Sequence, residues 1–562
     1  MPARPARPIP DTALSALAAA ALVTLSMTRV ASTWHQLSET ADEPAHVRSG
    51  LEWLGQGTYR SSAIDPPLSR LPVAVGPYLA GFRFSPRSVV PPSGRSVDEL
   101  DSDDPGPLSR ARAGVLPMFA LAAAVVWLWA RRAAGPLVAL LAVGIFALDP
   151  AVLAHAGVAT TDVEFTAVFC GALLAFVAWW ESPTWRSALV AGAVFGLALA
   201  SKYPALALPG CAAAMASVFA WGGTRPEAPG RTLALHGLGA LGVSMLVVWA
   251  AYRFSLQTLA ADLDPRTLAR LRDGCTSTPC VALSALAEHA LPAQAWFHGL
   301  WEIEWEERAG FPSYLLGAWS THGFRAYYLV ALLVKTPLPE LLLGAGGVVL
   351  ALRAWRTGNR QRAANVLAPV AAAVALVAVA SLGRVNIGVR HVLPVFALVS
   401  IAGGSALAAL VRDVKGPASS RTAARVLAAG LCAWLLFESH AQHPEYLAYF
   451  NETVGDDGDL VLLDSDLDWG QELYGLQRLL RERGVQQLYL AYFGPAVLSR
   501  HALPATMPLP RDVPVDGWIA ISAMYRHSPG FEWLASYAPV ARAGRSIDLY
   551  FLPPHAARGS AP

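Results

Sequence analysis

Apolar runs of the length a helix needs to cross about 30 Å of hydrocarbon recur along the chain. They cover residues 12–32, 115–130, 136–153, 163–180, 188–200, 205–221, 233–251, 339–352, 364–382, 392–411 and 423–437, and they read as eleven membrane spans. Three long polar segments interrupt the series: 33–114, 252–335 and everything from 438 onward. The tail changes pattern. Apolar spacing near 3.6 over 472–483 predicts a helix, and short β-rich runs at 460–463, 487–493, 518–522 and 547–552 predict strands. The pattern therefore predicts a multi-pass α-helical membrane protein with a transmembrane module over 1–437 and a small α/β domain over 438–562.

Composition fits that picture. Of the 562 residues 54% are hydrophobic and 15% charged, where soluble domains carry roughly 25%. A net charge of +2 gives no global positive field, so nucleic acid is not an expected partner. Five cysteines without zinc-like spacing make neither a disulfide scaffold nor a structural metal site. The first apolar run is long, and Met27, Thr28 and Arg29 near its end do not give a small-residue cleavage site, so it reads as a span rather than a signal peptide.

Charge placement orients the spans. With the N-terminus cytoplasmic, the short connections bearing Arg131 and Arg132, Arg186, Arg225 and Arg231, 353–362 and 412–425 all face the cytoplasm. The long segments, including the tail, then lie on the outer face of the cytoplasmic membrane. Cys275 and Cys280 fall in one of these segments, where an oxidising compartment permits a disulfide. Cys170, Cys211 and Cys432 lie in spans as small packing residues.

Ionisable residues beside hydrocarbon are costly and mark functional sites. The threading gathers them on one side: Asp42, Glu43 and His46 after the first span, Asp162 and Glu164 after the third, Lys202 between the fifth and sixth, Lys335 before the eighth, and Arg390 and His391 before the tenth. Two of the chain's three lysines are in this layer. Carboxylates and cations at a membrane surface suit a reaction on an anionic lipid headgroup. Other roles fit the same residues. Asp42 and Glu43 precede Pro44 and can cap a helix, Glu43 and His46 have a Glu-x-x-His spacing open to a metal but lack further ligands in register, and Lys202 and Lys335 can snorkel to the interface. Asp98 to Asp104 reads as solvated loop, and Asn451-Glu452-Thr453 matches a glycosylation acceptor without supporting a function.

Thr40-Ala41-Asp42-Glu43-Pro44-Ala45-His46, Asp65-Pro66-Pro67-Leu68, Ala159-Thr160-Thr161-Asp162 and Leu199-Ala200-Ser201-Lys202-Tyr203 together resemble blocks of GT-C glycosyltransferases, the bacterial relatives of protein O-mannosyltransferases (glycosyltransferase family 39) and of the aminoarabinose transferase of lipid A. Leu333-Val334-Lys335-Thr336-Pro337-Leu338-Pro339, Gly388-Val389-Arg390-His391-Val392-Leu393-Pro394, His443-Pro444-Glu445-Tyr446-Leu447-Ala448-Tyr449-Phe450-Asn451 and Asp464-Ser465-Asp466-Leu467-Asp468-Trp469-Gly470-Gln471 continue the resemblance through nearly the whole chain.

The resemblance implies inverting transfer of a sugar from a polyprenyl-phosphate donor to a protein, glycan or lipid acceptor on the outer face of the membrane. Asp42 then matches the general base, with Glu43 beside it, and Asp162 the second acidic position, which in some members helps hold a metal. Lys202, Lys335, Arg390 and His391 become the candidate cations for the donor phosphate. Asp464, Asp466, Asp468 and Trp469 become candidates for acceptor or sugar binding, although 464–468 equally reads as a turn with capping aspartates. The chain departs from the family at Asp65, where the aminoarabinose transferase has a lysine, so phosphate binding is not carried to that position. The sequence commits to no cofactor and leaves a divalent metal open. The alternative function is a transporter or flippase of a lipid-linked sugar, which would need polar residues near mid-membrane and broken helices. A third reading makes the tail a sensor or assembly module carried by an inactive membrane part.

Overall fold

The computed structural model describes residues 11–84, 95–96, 105–259, 269, 281, 284–285, 288–412 and 417–553. Cys275, Cys280 and the run from Asp98 to Asp104 are outside these residues.

Among the described residues nine helices are long and apolar enough to cross a membrane: Asp11–Ala31, Gly106–Ala134, Asp162–Glu181, Tyr203–Trp221, Gly230–Ala251, Leu338–Arg356, Arg360–Ala380, Pro394–Arg412 and Ala418–Ala441. Two expected spans differ from the simple reading. The run at 136–153 is broken into Pro136–Leu148 and Pro150–Ala156, bent by 67°. Pro150 lacks the amide that would continue the first helix, and Asp149 Oδ1 instead accepts from Val152 N at 3.0 Å, capping a new one. The run at 188–200 is the helix Trp185–Leu199, at 15 residues too short for a full crossing. It packs on Gly230–Ala251 through small residues. The Ser244 hydroxyl donates to Gly192 O at 2.8 Å, and a Cβ at Gly192 would stand 2.6 Å from Ala240 Cα.

Pro394–Arg412 is the central helix, packed against Leu338–Arg356, Pro136–Leu148 and Arg360–Ala380. Leucines and other large apolar side chains face outward on the surrounding spans, as on Gly230–Ala251 with Leu235, Leu238, Leu241 and Leu246. Hydrocarbon is the solvent that accommodates such a surface.

The tail packs the helix Leu473–Glu482 on a five-stranded mixed sheet, with a single helical turn at Ala523–Arg526. The strand Gly517–Ser522 is central; Gln487–Ala491 runs parallel to it and to the edge strand Ala505–Pro508, and Ile547–Leu552 and Ala541–Ala543 extend the sheet antiparallel on the other side. The strand expected at 460–463 is instead a short 3₁₀ turn, Gly458–Leu460, and irregular backbone. Its apolar residues Leu462 and Leu463 are spent on the bundle. Together with Tyr446, Leu447, Phe450, Leu467 and Trp469 they belong to the same buried cluster as the membrane helices, whereas Leu473, Leu476, Leu488, Leu490 and Leu549 form a core of their own. The tail's separate core thus begins near Leu473, and the stretch before it lies against the bundle.

Candidate functional site

Four polar blocks converge where the spans meet this stretch, and main-chain hydrogen bonds hold them there. Ser38 N and Ala41 N donate to Gln471 O and Trp469 O, both at 2.9 Å, pinning the loop that carries Asp42. Leu68 N donates to Ala200 O at 3.0 Å and the Ser69 hydroxyl to Ser201 O at 2.8 Å, joining the Asp65 block to the turn that carries Lys202. Val389 N donates to Asp466 Oδ1 at 3.0 Å, and the Ser465 hydroxyl bonds Ile387 O. Gly388, at φ +130°, permits this approach, since a Cβ there would collide with Ser465 Oγ.

Within this frame the charges alternate. Arg390 donates to Asp42 Oδ2 at 2.5 Å, and Lys202 donates to Asp162 Oδ1 at 2.6 Å. The Arg390 guanidinium also stands over the Trp469 indole, 4.5 Å from its ring centroid. Burial works against the charge on Arg390, and Asp42, Asp162 and Asp464 outweigh it, so its pKa rises above its ordinary value. Burial likewise raises the pKa of Asp42, but Arg390 and His46 prevail and hold it below the usual carboxylate value. Asp42 is the accessible carboxylate, with its side chain 35% exposed against 1% for Asp162. It stands at the N-cap of Glu43–Gln56 yet makes no capping hydrogen bond, so its carboxylate is directed to the site.

Several expected site residues serve the scaffold instead. Both Glu43 oxygens are filled: Arg112 Nε and Nη2 donate at 2.7 and 2.8 Å, Ala159 N at 2.6 Å and Thr40 N at 2.8 Å. Glu43 is therefore neither a base nor a metal ligand, and the Glu43–His46 metal pair does not form. His46 Nδ1 lies 3.7 Å from Asp65 Oδ2, and burial lowers its pKa against the pull of Asp65 and Asp42. Among the described residues no group of three or more His, Cys, Asp or Glu is placed to hold a metal ion.

Lys335 is buried away from the cluster. It donates to Leu447 O at 2.8 Å and Asp466 O at 2.6 Å, with Nζ 4.4 Å from the Phe450 ring centroid. Burial pushes its pKa down to about 8 despite Asp466. His391 is no cation, because burial together with Arg390 and Lys202 brings its pKa down to about 3, and its ring faces the Tyr328 hydroxyl at 3.3 Å.

The aspartates of 464–468 form a turn, Asp464–Asp466, with Asp464 at φ +56° and accepting from Ser465 N at 2.6 Å. Asp466 takes Val389 N and the Tyr327 hydroxyl, and Asp468 takes Met524 N. These two bind the chain rather than a ligand, and only Asp464 adds charge beside Arg390. Trp469 is buried and acts as the platform beneath Arg390. Asn451 is buried as well, its amide donating to Leu333 O and Thr336 O at 2.6 and 2.8 Å, so it is no glycan acceptor.

The sequence reading missed Arg112, which Glu43 needs. Its signal was present: an arginine at the start of a long apolar helix requires a buried partner.

Residues 110–252, about a quarter of the chain, match the family model described as "Dolichyl-phosphate-mannose-protein mannosyltransferase". The structure of the Saccharomyces cerevisiae protein O-mannosyltransferase Pmt1-Pmt2 complex bound to the sugar donor aligns over 87% of this chain and 93% of that chain, with 11% identity and a TM-score of 0.50. The fold is that of the GT-C glycosyltransferases. ArnT from Cupriavidus metallidurans bound to undecaprenyl phosphate aligns over 94% of this chain and 97% of that chain, with 14% identity and a TM-score of 0.49. The Archaeoglobus fulgidus oligosaccharyltransferase aligns over 75% and 56%, with 13% identity and a TM-score of 0.46. No curated protein matches the chain. The stretch matched by the family model carries Arg112, Asp162 and Lys202, whereas Asp42 and Arg390, the other half of the charged cluster, lie outside it.

Proposed function

We propose that this membrane protein is an inverting glycosyltransferase that moves a sugar from a polyprenyl-phosphate donor to an acceptor at the outer face of the cytoplasmic membrane, with its N-terminus inside and its tail outside. The observation that carries the reading is the paired cluster of Asp42 with Arg390 and Asp162 with Lys202, in which one carboxylate alone is open to an incoming hydroxyl. The family model's description names a dolichyl-phosphate sugar, which supports a prenyl-phosphate donor.

Asp42 takes the proton of the acceptor hydroxyl as its oxygen attacks the anomeric carbon opposite the phosphate. The new glycosidic bond forms as the bond to the phosphate oxygen breaks, inverting that carbon. The leaving phosphate is already a stable anion, so no strong acid is needed there. Lys202 and Arg390 offset the charge gathering on the departing oxygen, and Asp162 aims Lys202.

The broken span at Asp149 favours a flippase. It also has a local purpose, turning the chain so that Pro150–Ala156 leads directly into Ala159 and Asp162. The test is incubation of the purified protein with a polyprenyl-phosphate sugar and an envelope acceptor fraction. Transfer is expected, with release of polyprenyl phosphate and an inverted anomeric centre by NMR. Donor movement across a vesicle bilayer without transfer would replace this reading with the flippase.

A further inference from the structure

The tail sheet has a second recess. The strand Gln487–Ala491 is flanked on both sides by parallel neighbours, and the chain leaves it first toward Ala505–Pro508 and then toward Gly517–Ser522 on the opposite side. Such a reversal opens a crevice at the carboxyl ends of the strands, where open α/β sheets bind ligands. Here it has a volume of about 650 Å³, within the range of small-molecule sites.

Its walls are chemically mixed. Tyr492, Tyr525 and Phe531 supply aromatic faces, Thr506 a hydroxyl, and His501 and Arg511 the nitrogen-bearing groups. Among the described residues that line it there is no carboxylate. Arg511 stands at the exposed rim: Asp512 N donates to Gly530 O at 2.8 Å, Gly530 packs against the Arg511 side chain, and the guanidinium carbon lies 5.6 Å from the Phe531 ring centroid.

The crevice also adjoins the membrane site through the chain. The Tyr492 hydroxyl donates to Gly470 O at 2.7 Å, and Gly470 follows Trp469, the platform of Arg390. Gly470 and Gly494 are close enough that a Cβ at 470 would stand 2.8 Å from Gly494 Cα, so the wall of the crevice and the support of Arg390 are packed as one piece.

We propose that this crevice is a saccharide-binding subsite for the acceptor, suited to a neutral or acidic glycan. Aromatic rings pack on the apolar C–H faces of a sugar ring, the threonine hydroxyl and arginine bond its polar edges, and the absence of a carboxylate from the wall leaves no partner for an amino sugar's ammonium. A donor anchored by its prenyl chain is held at the bilayer, whereas an acceptor glycan arrives from the aqueous side that the tail would face. The inference rests on the glycosyl-transfer reading for the word acceptor, while saccharide binding itself is independent of it.

The test is saturation-transfer NMR on the full-length protein in detergent micelles, with mannobiose as the neutral probe and digalacturonate as the acidic one. Both are expected to receive saturation. Arg511→Gln, at an exposed position, is expected to weaken digalacturonate about tenfold and mannobiose less, and Tyr525→Leu to weaken both. Asp42→Asn is expected to leave both unchanged, so that saccharide binding and transfer fail separately. Saccharide binding without any transfer would overturn the enzymatic reading and leave the site standing. Failure of both probes to bind the wild-type protein, wild-type affinity in both crevice variants, or displacement of the probes by a serine-rich peptide would overturn the subsite.

Discussion

Arg390 and Trp469 are stacked, the guanidinium carbon 4.5 Å from the indole centroid, while the same guanidinium holds Asp42 at 2.5 Å. The indole comes from the tail segment, Asp42 from the loop after the first span and Arg390 from the entry to Pro394–Arg412, so one cation ties three distant parts of the chain together. A desolvated cation–π contact of this kind is worth about 2 kcal/mol. Trp469→Leu is therefore expected to raise the KM for donor about thirtyfold, and Trp469→Phe to recover most of that loss. Equal donor KM in the leucine variant and the wild-type protein would show that the stack does not aim Arg390.

Asp42→Asn tests the base. Because Asp42 makes no capping hydrogen bond, the variant should fold normally and bind donor, and turnover should fall about a hundredfold or more. A transfer assay on the purified variant decides this, and near-normal turnover would remove Asp42 from the chemistry.

The pH profile carries a separate expectation. Arg390 favours the ionised form of Asp42 while burial and Asp162 oppose it. Replacing Arg390 with Gln removes the larger favourable influence and leaves His46 alone against burial and Asp162, so the pKa of Asp42 rises. The acid limb of kcat/KM should move to higher pH in Arg390→Gln. An unmoved limb would mean that another group sets it.

Lys202 and Lys335 should behave differently. If Lys202 holds the donor phosphate, Lys202→Ala removes charge-assisted hydrogen bonds of about 1.5–3 kcal/mol, a ten- to hundredfold loss of donor affinity, and by leaving Asp162 buried without its counter-ion it lowers Tm as well. Lys335→Ala strands the buried carbonyls of Leu447 and Asp466, and should lower Tm in detergent while donor affinity of the folded fraction holds. Thermal unfolding and donor titration of both variants give the comparison, and the reverse pattern would exchange their roles.

Glu43→Ala leaves the Arg112 charge buried and unpaired, at a cost of about 3–5 kcal/mol. Glu43→Ala combined with Arg112→Met should recover part of that stability. If Glu43 were a base, the double variant would be stable and inactive; as scaffold, its activity should return with its fold. Tm and turnover measured on the same preparations distinguish the two.

Hydropathy alone determined the helical membrane architecture, because a stretch that lies in hydrocarbon must be apolar along its length and every such stretch is visible locally. The same reading located the polar blocks at 40–46, 159–162, 199–203 and 388–394, since charges beside hydrocarbon stand out against it. It could not assign partners. Asp42 and Arg390 are 348 residues apart, and which cation meets which carboxylate depends on how the spans pack and on the tail segment that pins the Asp42 loop. That packing separated four chemically similar candidates: Lys202 and Arg390 are paired with carboxylates in the cluster, Lys335 is spent on two backbone carbonyls, and His391 is neutralised by burial beside Arg390. It likewise turned Glu43, a neighbour of Asp42 in sequence, into the buried counter-ion of Arg112, because adjacent residues at a helix start face different ways and only the tertiary structure decides which one meets the open site.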